Sequence, residues 1–200
     1  MSSYNFRDRE GSTPLDPEQL EGIKFRHIIT MGELDEVEDK NIQNGLDWLN
    51  RQLEADYLSI HFLDKLHKKL FGDVWKWAGS HRVRDVNLSK VSRFNIGPEL
   101  KKIFEDVKLW IGSENMSWDE ISAEFHHHLV TIHPYPNGNG RIARIMTEYL
   151  QARNGQAITS WKGPLRDLPK ERRDLYINAL KKADAGDYAS LIQFMKEKRS

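Results

Sequence analysis

The sequence predicts a mostly α-helical protein with one short β-hairpin. Three observations predict it: apolar residues recur at helical spacing in several separate stretches, turn residues divide those stretches, and the run from Arg82 to Ile96 abandons the helical period. The expected inventory is about six to eight helices plus the hairpin.

Residues 1–25 read as a polar arm, interrupted by Gly11, Pro14 and Pro17. Residues 26–200 are expected to form a single domain. Thr30 precedes Glu33 at capping-box spacing, and Ile42, Leu46 and Leu49 carry the pattern to about Asn50. A second amphipathic helix fits Tyr57 to Leu70 through Leu58, Phe62, Leu66 and Leu70, and Phe71-Gly72 ends it. In the hairpin, Val83, Val86, Leu88, Val91, Phe94 and Ile96 lie among polar residues, with Ser89-Lys90 as the turn. Helical spacing resumes at Leu100, Ile103, Phe104 and Val107. Ser117 and Glu120 form a capping box for a helix to about Thr131. Ile142 to Ala152, Pro169 to Lys182 and Tyr188 to Lys198 supply the remaining helices.

The 200 residues hold 30 Lys+Arg against 30 Asp+Glu, so no net charge argues for nucleic acid or an anionic membrane as a partner. Cysteine is absent, which excludes disulfides and thiolate zinc sites. No apolar run reaches the ~18 residues of a membrane helix. Met1 to Asp8 lacks the apolar core of a secretory signal. A cytoplasmic protein is the expectation.

Chemistry concentrates in His133-Pro134-Tyr135-Pro136-Asn137-Gly138-Asn139-Gly140-Arg141, followed by Arg144. Two prolines and two glycines force a tight loop, and a loop feeding a helix N-terminus presents backbone N–H groups and the positive end of the helix dipole. Gly138 and Gly140 let the backbone approach a ligand closely, making an anion cradle. Arg141 and Arg144, three apart, add guanidinium forks that match phosphate oxygens. His133 is the one side chain there that exchanges a proton near neutral pH. A polyphosphate is the natural ligand. His126, His127 and His128 diverge around a helix and read as packing or surface residues; His61 and His67 lie six apart, poor ligand spacing.

The stretch HPYPNGNGRIAR resembles the signature of Fic-domain proteins, H-P-F-x-[D/E]-G-N-G-R-x-x-R. WKWAG at Trp75 to Gly79, Arg82 and the closing YINALKKADAGDYASLIQFM extend the resemblance over roughly residues 58–195. It implies a helical bundle with a β-hairpin flap that transfers AMP from ATP to a Ser, Thr or Tyr hydroxyl of a target protein. His133 resembles the base that deprotonates the target; Gly138, Asn139, Gly140, Arg141 and Arg144 resemble the groups that hold the nucleotide's phosphates. Tyr176 lies where relatives often contact the nucleotide base, and an aromatic at that spacing also reads as core. Asn87, Leu88, Val91, Phe94 and Asn95 would form a flap that docks the target by strand addition. Tyr135 stands for the family's loop-anchoring phenylalanine, a conservative change if the phenol finds a partner.

Asn137 departs from the pattern, because the family's acid there holds Mg²⁺. An amide oxygen brings no charge, and two unit charges ~4 Å apart interact by roughly 4 kcal/mol at an effective dielectric of about 20. Reduced activity through a weakened Mg²⁺ site is therefore the expectation. Two alternatives stay open: a phosphotransferase, against which Gly140 speaks because such relatives tend to carry lysine there, and a catalytically weak module that binds nucleotide or a partner. No position satisfies the silencing pattern [S/T]-x-x-x-E-[G/N], which leaves a separate antitoxin-like inhibitor as a candidate partner.

Overall fold

In the computed structural model of the protein, the described residues are 22–25, 31–113, 115–159, 161 and 169–197. They form α1 (Met31–Leu49), α2 (Ile60–Phe71), a 3-10 turn (Arg93–Asn95), α3 (Ile96–Gly112), α4 (Trp118–Ile132), α5 (Asn139–Arg153), α6 (Lys170–Ala183) and α7 (Ala189–Lys196). The chain divides into two compact units. One holds the residues up to Val83 together with Tyr135–Gly138; the other holds Arg84–Pro134 and the residues from Asn139 onward. Most of the arm expected at 1–25, and the Thr30 half of the first capping box, lie outside the described residues.

In the first unit, α2 starts where Ser59, in extended conformation, accepts the Phe62 N–H on its hydroxyl at 3.2 Å. Its face of Phe62, Leu63, Leu66, Leu70 and Phe71 is buried, each side chain contributing roughly 1.5–3 kcal/mol. Helix α1 lies against it at close range. Asn41 of α1 donates to the Lys69 carbonyl at 3.0 Å and accepts the Asp73 N–H at 2.9 Å, so the amide fills backbone valences left at the end of α2. Trp75 is buried, and its indole N–H donates to the Glu38 carboxylate at 2.6 Å. An isolated antiparallel bridge joins Ile23 to Trp75.

The second unit is built on α4. Ser117 and Glu120 make both halves of the expected capping box. The α4 side chains Ile121, Phe125 and Leu129 are buried, as are Leu100, Ile103, Phe104 and Val107 of α3 and Ile142, Met146 and Leu150 of α5. Ala123, Trp161, Tyr176, Ala179, Ala183, Leu191, Phe194 and Met195 close a core cluster beside them.

The β-hairpin does not form. Among the described residues there is no strand, so the flap expected at Arg82 to Ile96, and the strand-edge role of Asn87, Leu88, Val91, Phe94 and Asn95, are corrected. Side chains have captured the backbone groups that a ladder would need. Asp85 accepts the Arg93 N–H at 2.6 Å, and the Ser89 hydroxyl accepts the Val91 N–H at 3.0 Å. That hydroxyl also meets the Thr131 and Ile132 carbonyls at the end of α4 at 2.9 and 3.1 Å, which ties the segment to a helix. Ile96, read as the last strand residue, opens α3 fully buried. Val83, Leu88 and Phe94 stay exposed, so the alternation has no apolar face to bury, and a lone two-stranded hairpin is marginal in water.

A Cβ added at Gly45 of α1 would lie 2.9 Å from the Leu70 Cα and 3.0 Å from its backbone nitrogen. Helix propensity alone would make Gly45→Ala stabilising by ~1 kcal/mol. Backbone crowding reverses the sign, and we expect a net loss of about 1–2 kcal/mol in urea unfolding. A variant at least as stable as the wild type would show that α1 does not approach α2 this closely.

Candidate functional site

The residues Tyr135 to Gly138 belong to the first unit, where α2 and the turn after it form their support. Tyr135 is fully buried. Its phenol donates to the Asp64 carboxylate at 2.7 Å, and the same oxygen faces His81 Nε2 at 3.1 Å. The replacement for phenylalanine has therefore found a polar partner. Burial and the Asp64 charge push its pKa well above 10.0. The Tyr135 ring stacks on His67 at 3.7 Å between centroids. Gly138 adopts φ +80°, and a Cβ there would lie 2.8 Å from Phe71 Cε2. Only glycine meets both conditions.

Asn137 is turned inward on its own loop. Its Oδ1 accepts the Gly138 N–H at 2.6 Å, and its backbone carbonyl faces His67 Nε2 at 3.1 Å. Magnesium requires several hard oxygen ligands and is usually held by carboxylates together with substrate phosphates. The motif offers one neutral oxygen, already committed to a backbone amide. Among the described residues no group of three or more His, Asp or Glu is placed to hold a metal. The residues present do not fit the Mg²⁺ site that the resemblance implies.

In the second unit, His133 caps the C-terminus of α4 in left-handed conformation (φ 50°, ψ 58°), with its N–H on the Leu129 carbonyl at 3.2 Å. Among the described residues it is the one non-glycine with positive φ. Such strain persists where the surroundings enforce it. Helix α5 begins at Asn139, three residues before the Ile142 start read from the sequence, so Gly140 and Arg141 lie in its first turn. The position before it, Gly138, has no side chain with which to cap the turn. A Cβ on Gly140 would meet nothing within 4 Å, so the backbone faces open space there.

The two arginines differ. Arg141 is half-buried, whereas Arg144 is 7% exposed and donates from Nε to the Gly140 carbonyl at 3.1 Å. Burial lowers the Arg144 pKa, and Arg141 adds to this, against the opposing effects of Tyr176 and Glu148. Tyr176 is buried in the core cluster with its hydroxyl 2.8 Å from His126 Nε2. His126 also faces the Thr147 hydroxyl at 3.3 Å and stacks on Trp161. Burial first, then the Arg144 charge, pull its pKa down to about 3, so it stays neutral. His127 faces Asp184 at 3.0 Å and Tyr188 at 3.2 Å.

Sequence reading missed Glu148 and His67. Glu148 follows Arg144 by four positions on α5, and that spacing was the available signal. Its pKa is pushed up to about 7 by burial, against the Arg144 charge and a backbone hydrogen bond from Trp161. His67 gave no signal, because its partners lie 12 and 70 residues away.

Residues 57–151 match the model of the Fic/DOC family. A protein adenylyltransferase, fic-1 of Caenorhabditis elegans, is 29% identical over 159 residues, covering 76% of this chain and 30% of its own length. The protein adenylyltransferase Fic of Drosophila erecta is 27% identical over 173 residues, covering 80% of this chain and 33% of its own. The chain thus spans about a third of the length of the curated relatives it matches. Among solved structures, BepC of Bartonella tribocorum with bound AMPPNP superposes with a TM-score of 0.67 at 18% identity, over 96% of this chain and 95% of that one. At that identity the likeness establishes the fold. No helix among the described residues is long and apolar enough to cross a membrane.

Glu148 generates a prediction about pH. Its folded pKa of about 7 lies above the ordinary 4.5, so the unfolded chain releases this proton first as pH rises. Its contribution therefore turns against folding between those two values and levels off above the higher one. Urea unfolding at a series of pH values should show wild type losing stability relative to Glu148→Gln across that window. Parallel profiles would contradict the assignment.

Proposed function

We propose that this chain, whose residues 57–151 are a Fic/DOC-family domain, binds a nucleoside polyphosphate through the backbone that opens α5 and transfers its adenylyl group to a protein hydroxyl only slowly. Asn137 carries the reading. An amide stands where the resemblance expects an acid, and its oxygen is held by the Gly138 N–H at 2.6 Å rather than offered to a cation. The relatives' designation as protein adenylyltransferases and the AMPPNP in the BepC structure support the choice of ATP as donor.

The anion-binding parts are backbone. The N–H groups of a first helical turn and the helix dipole favour negative charge, and the space into which a Cβ of residue 140 would point is open. Arg141 supplies a guanidinium beside it for phosphate charge. The buried Arg144, bonded to the Gly140 carbonyl, braces the turn from within.

In the transfer, the hydroxyl oxygen of the target attacks the α-phosphorus of ATP. A new O–P bond forms, the bond to the oxygen bridging α- and β-phosphorus breaks, and pyrophosphate leaves. His133 takes the hydroxyl proton. With no fitted metal site, charge developing on the leaving pyrophosphate is met by backbone N–H groups and Arg141, which accounts for a slow reaction. A target protein carrying the hydroxyl is then the main partner.

With α-labelled ATP and a hydroxyl-bearing protein acceptor, wild type should transfer label slowly. Asn137→Asp should raise the rate ~10-fold or more, equivalent to about 1.4 kcal/mol of barrier. His133→Ala should abolish transfer in both backgrounds. Equal rates for wild type and Asn137→Asp, or transfer that survives His133→Ala, would contradict the reading.

A further inference from the structure

His67 is fully buried on α2, a position where an ionisable side chain needs a reason to be. Both ring nitrogens are used. The Gly79 N–H donates to Nδ1 at 2.9 Å, so Nδ1 carries a lone pair and the proton of the neutral ring sits on Nε2. Nε2 faces the Asn137 carbonyl at 3.1 Å, an oxygen that can only accept. Two backbone partners thus fix one tautomer. Tyr135 stacks on the ring at 3.7 Å with an interplanar angle of 16°, and Phe71 lies 4.8 Å away, so the ring's orientation is fixed as well.

We propose that His67 is a positioning residue of the phosphate-binding loop: by holding the Asn137 carbonyl, its Nε2–H sets the direction of the Gly138 N–H that follows. The two groups belong to one planar trans peptide and point in opposite directions, so fixing the carbonyl aims the amide away from α2. That amide now donates to an oxygen, Asn137 Oδ1, in the way it would donate to a phosphate oxygen. Gly138 lies close to the same nitrogen: a Cβ there would stand 3.3 Å from His67 Nε2. The assignment rests on the reading that this loop holds a nucleotide's phosphates, and it adds the group that prepares the loop before the nucleotide arrives.

Two substitutions separate the two bonds. In His67→Gln an ε-nitrogen can still donate to Asn137, while the bond from Gly79 is lost. In His67→Asn a δ-oxygen can still accept from Gly79, while the loop contact is lost. ADP affinity by calorimetry should stay within about threefold of wild type for His67→Gln and fall ~10-fold or more for His67→Asn. Amide hydrogen exchange over residues 133–141, measured without nucleotide, should quicken in His67→Asn alone. Nitrogen-15 spectra of the wild type should show the His67 proton on Nε2, a readout that needs no variant to fold. A proton on Nδ1, equal loss of affinity in both variants, or unchanged loop exchange in His67→Asn would overturn the role of His67. Failure of the wild type to bind ADP would instead overturn the nucleotide reading, while tautomer and exchange still decide His67.

Discussion

Gly138 has room for a hydrogen and nothing larger, and the candidate site depends on that constraint. Its left-handed backbone and the Phe71 ring at 2.8 Å from any added Cβ are two independent reasons for glycine. The wall it rests on is α2, whose Phe71 and His67 are buried because Leu63, Leu66 and Leu70 turn the same helix face inward. Asp64, one turn back, accepts the Tyr135 phenol and so fixes the start of the same four-residue stretch. A loop of prolines, glycines and an asparagine would sample many conformations in isolation; here its shape is set by the helix beneath it.

Much of this was legible in the sequence, and the reasons are local. Helices announce themselves by apolar period and caps, so Ser117 with Glu120 and the end of α2 at Phe71-Gly72 fell where the residues placed them. The motif is contiguous, so its loop could be read without knowing the fold. The 82–96 stretch misled because β-branched and aromatic residues alternating with polar ones are a strand signal only when a sheet face exists to receive them. Ser89 reaching the carbonyls of Thr131 and Ile132 is a tertiary contact across 42 and 43 residues, and no local pattern encodes it. The Pro/Gly/Asn run puts the start of α5 at Ile142 in the sequence, yet Asn139 and Gly140, poor helix formers, open the helix.

The buried polar groups explain why the second unit tolerates charge in its interior. Arg144, Glu148, Tyr176 and His126 lie within one electrostatic neighbourhood: the carboxylate is pushed toward neutrality, the imidazole is held neutral, and the arginine keeps its charge beside them. Desolvating an isolated guanidinium would be costly, and a bond to the Gly140 carbonyl together with a nearby acid offsets part of that cost. The two arginines that the sequence places on one helical face differ in burial: Arg141 is half-buried, whereas Arg144 is 7% exposed and bonded to the Gly140 carbonyl.

The most direct test is an amide-resonance titration of the full chain with ADP, run with and without Mg²⁺. The account predicts that Gly138, Asn139 and Gly140 show the largest shifts and that Mg²⁺ changes the affinity by less than about threefold. Shifts centred elsewhere, or binding that requires Mg²⁺, would contradict it.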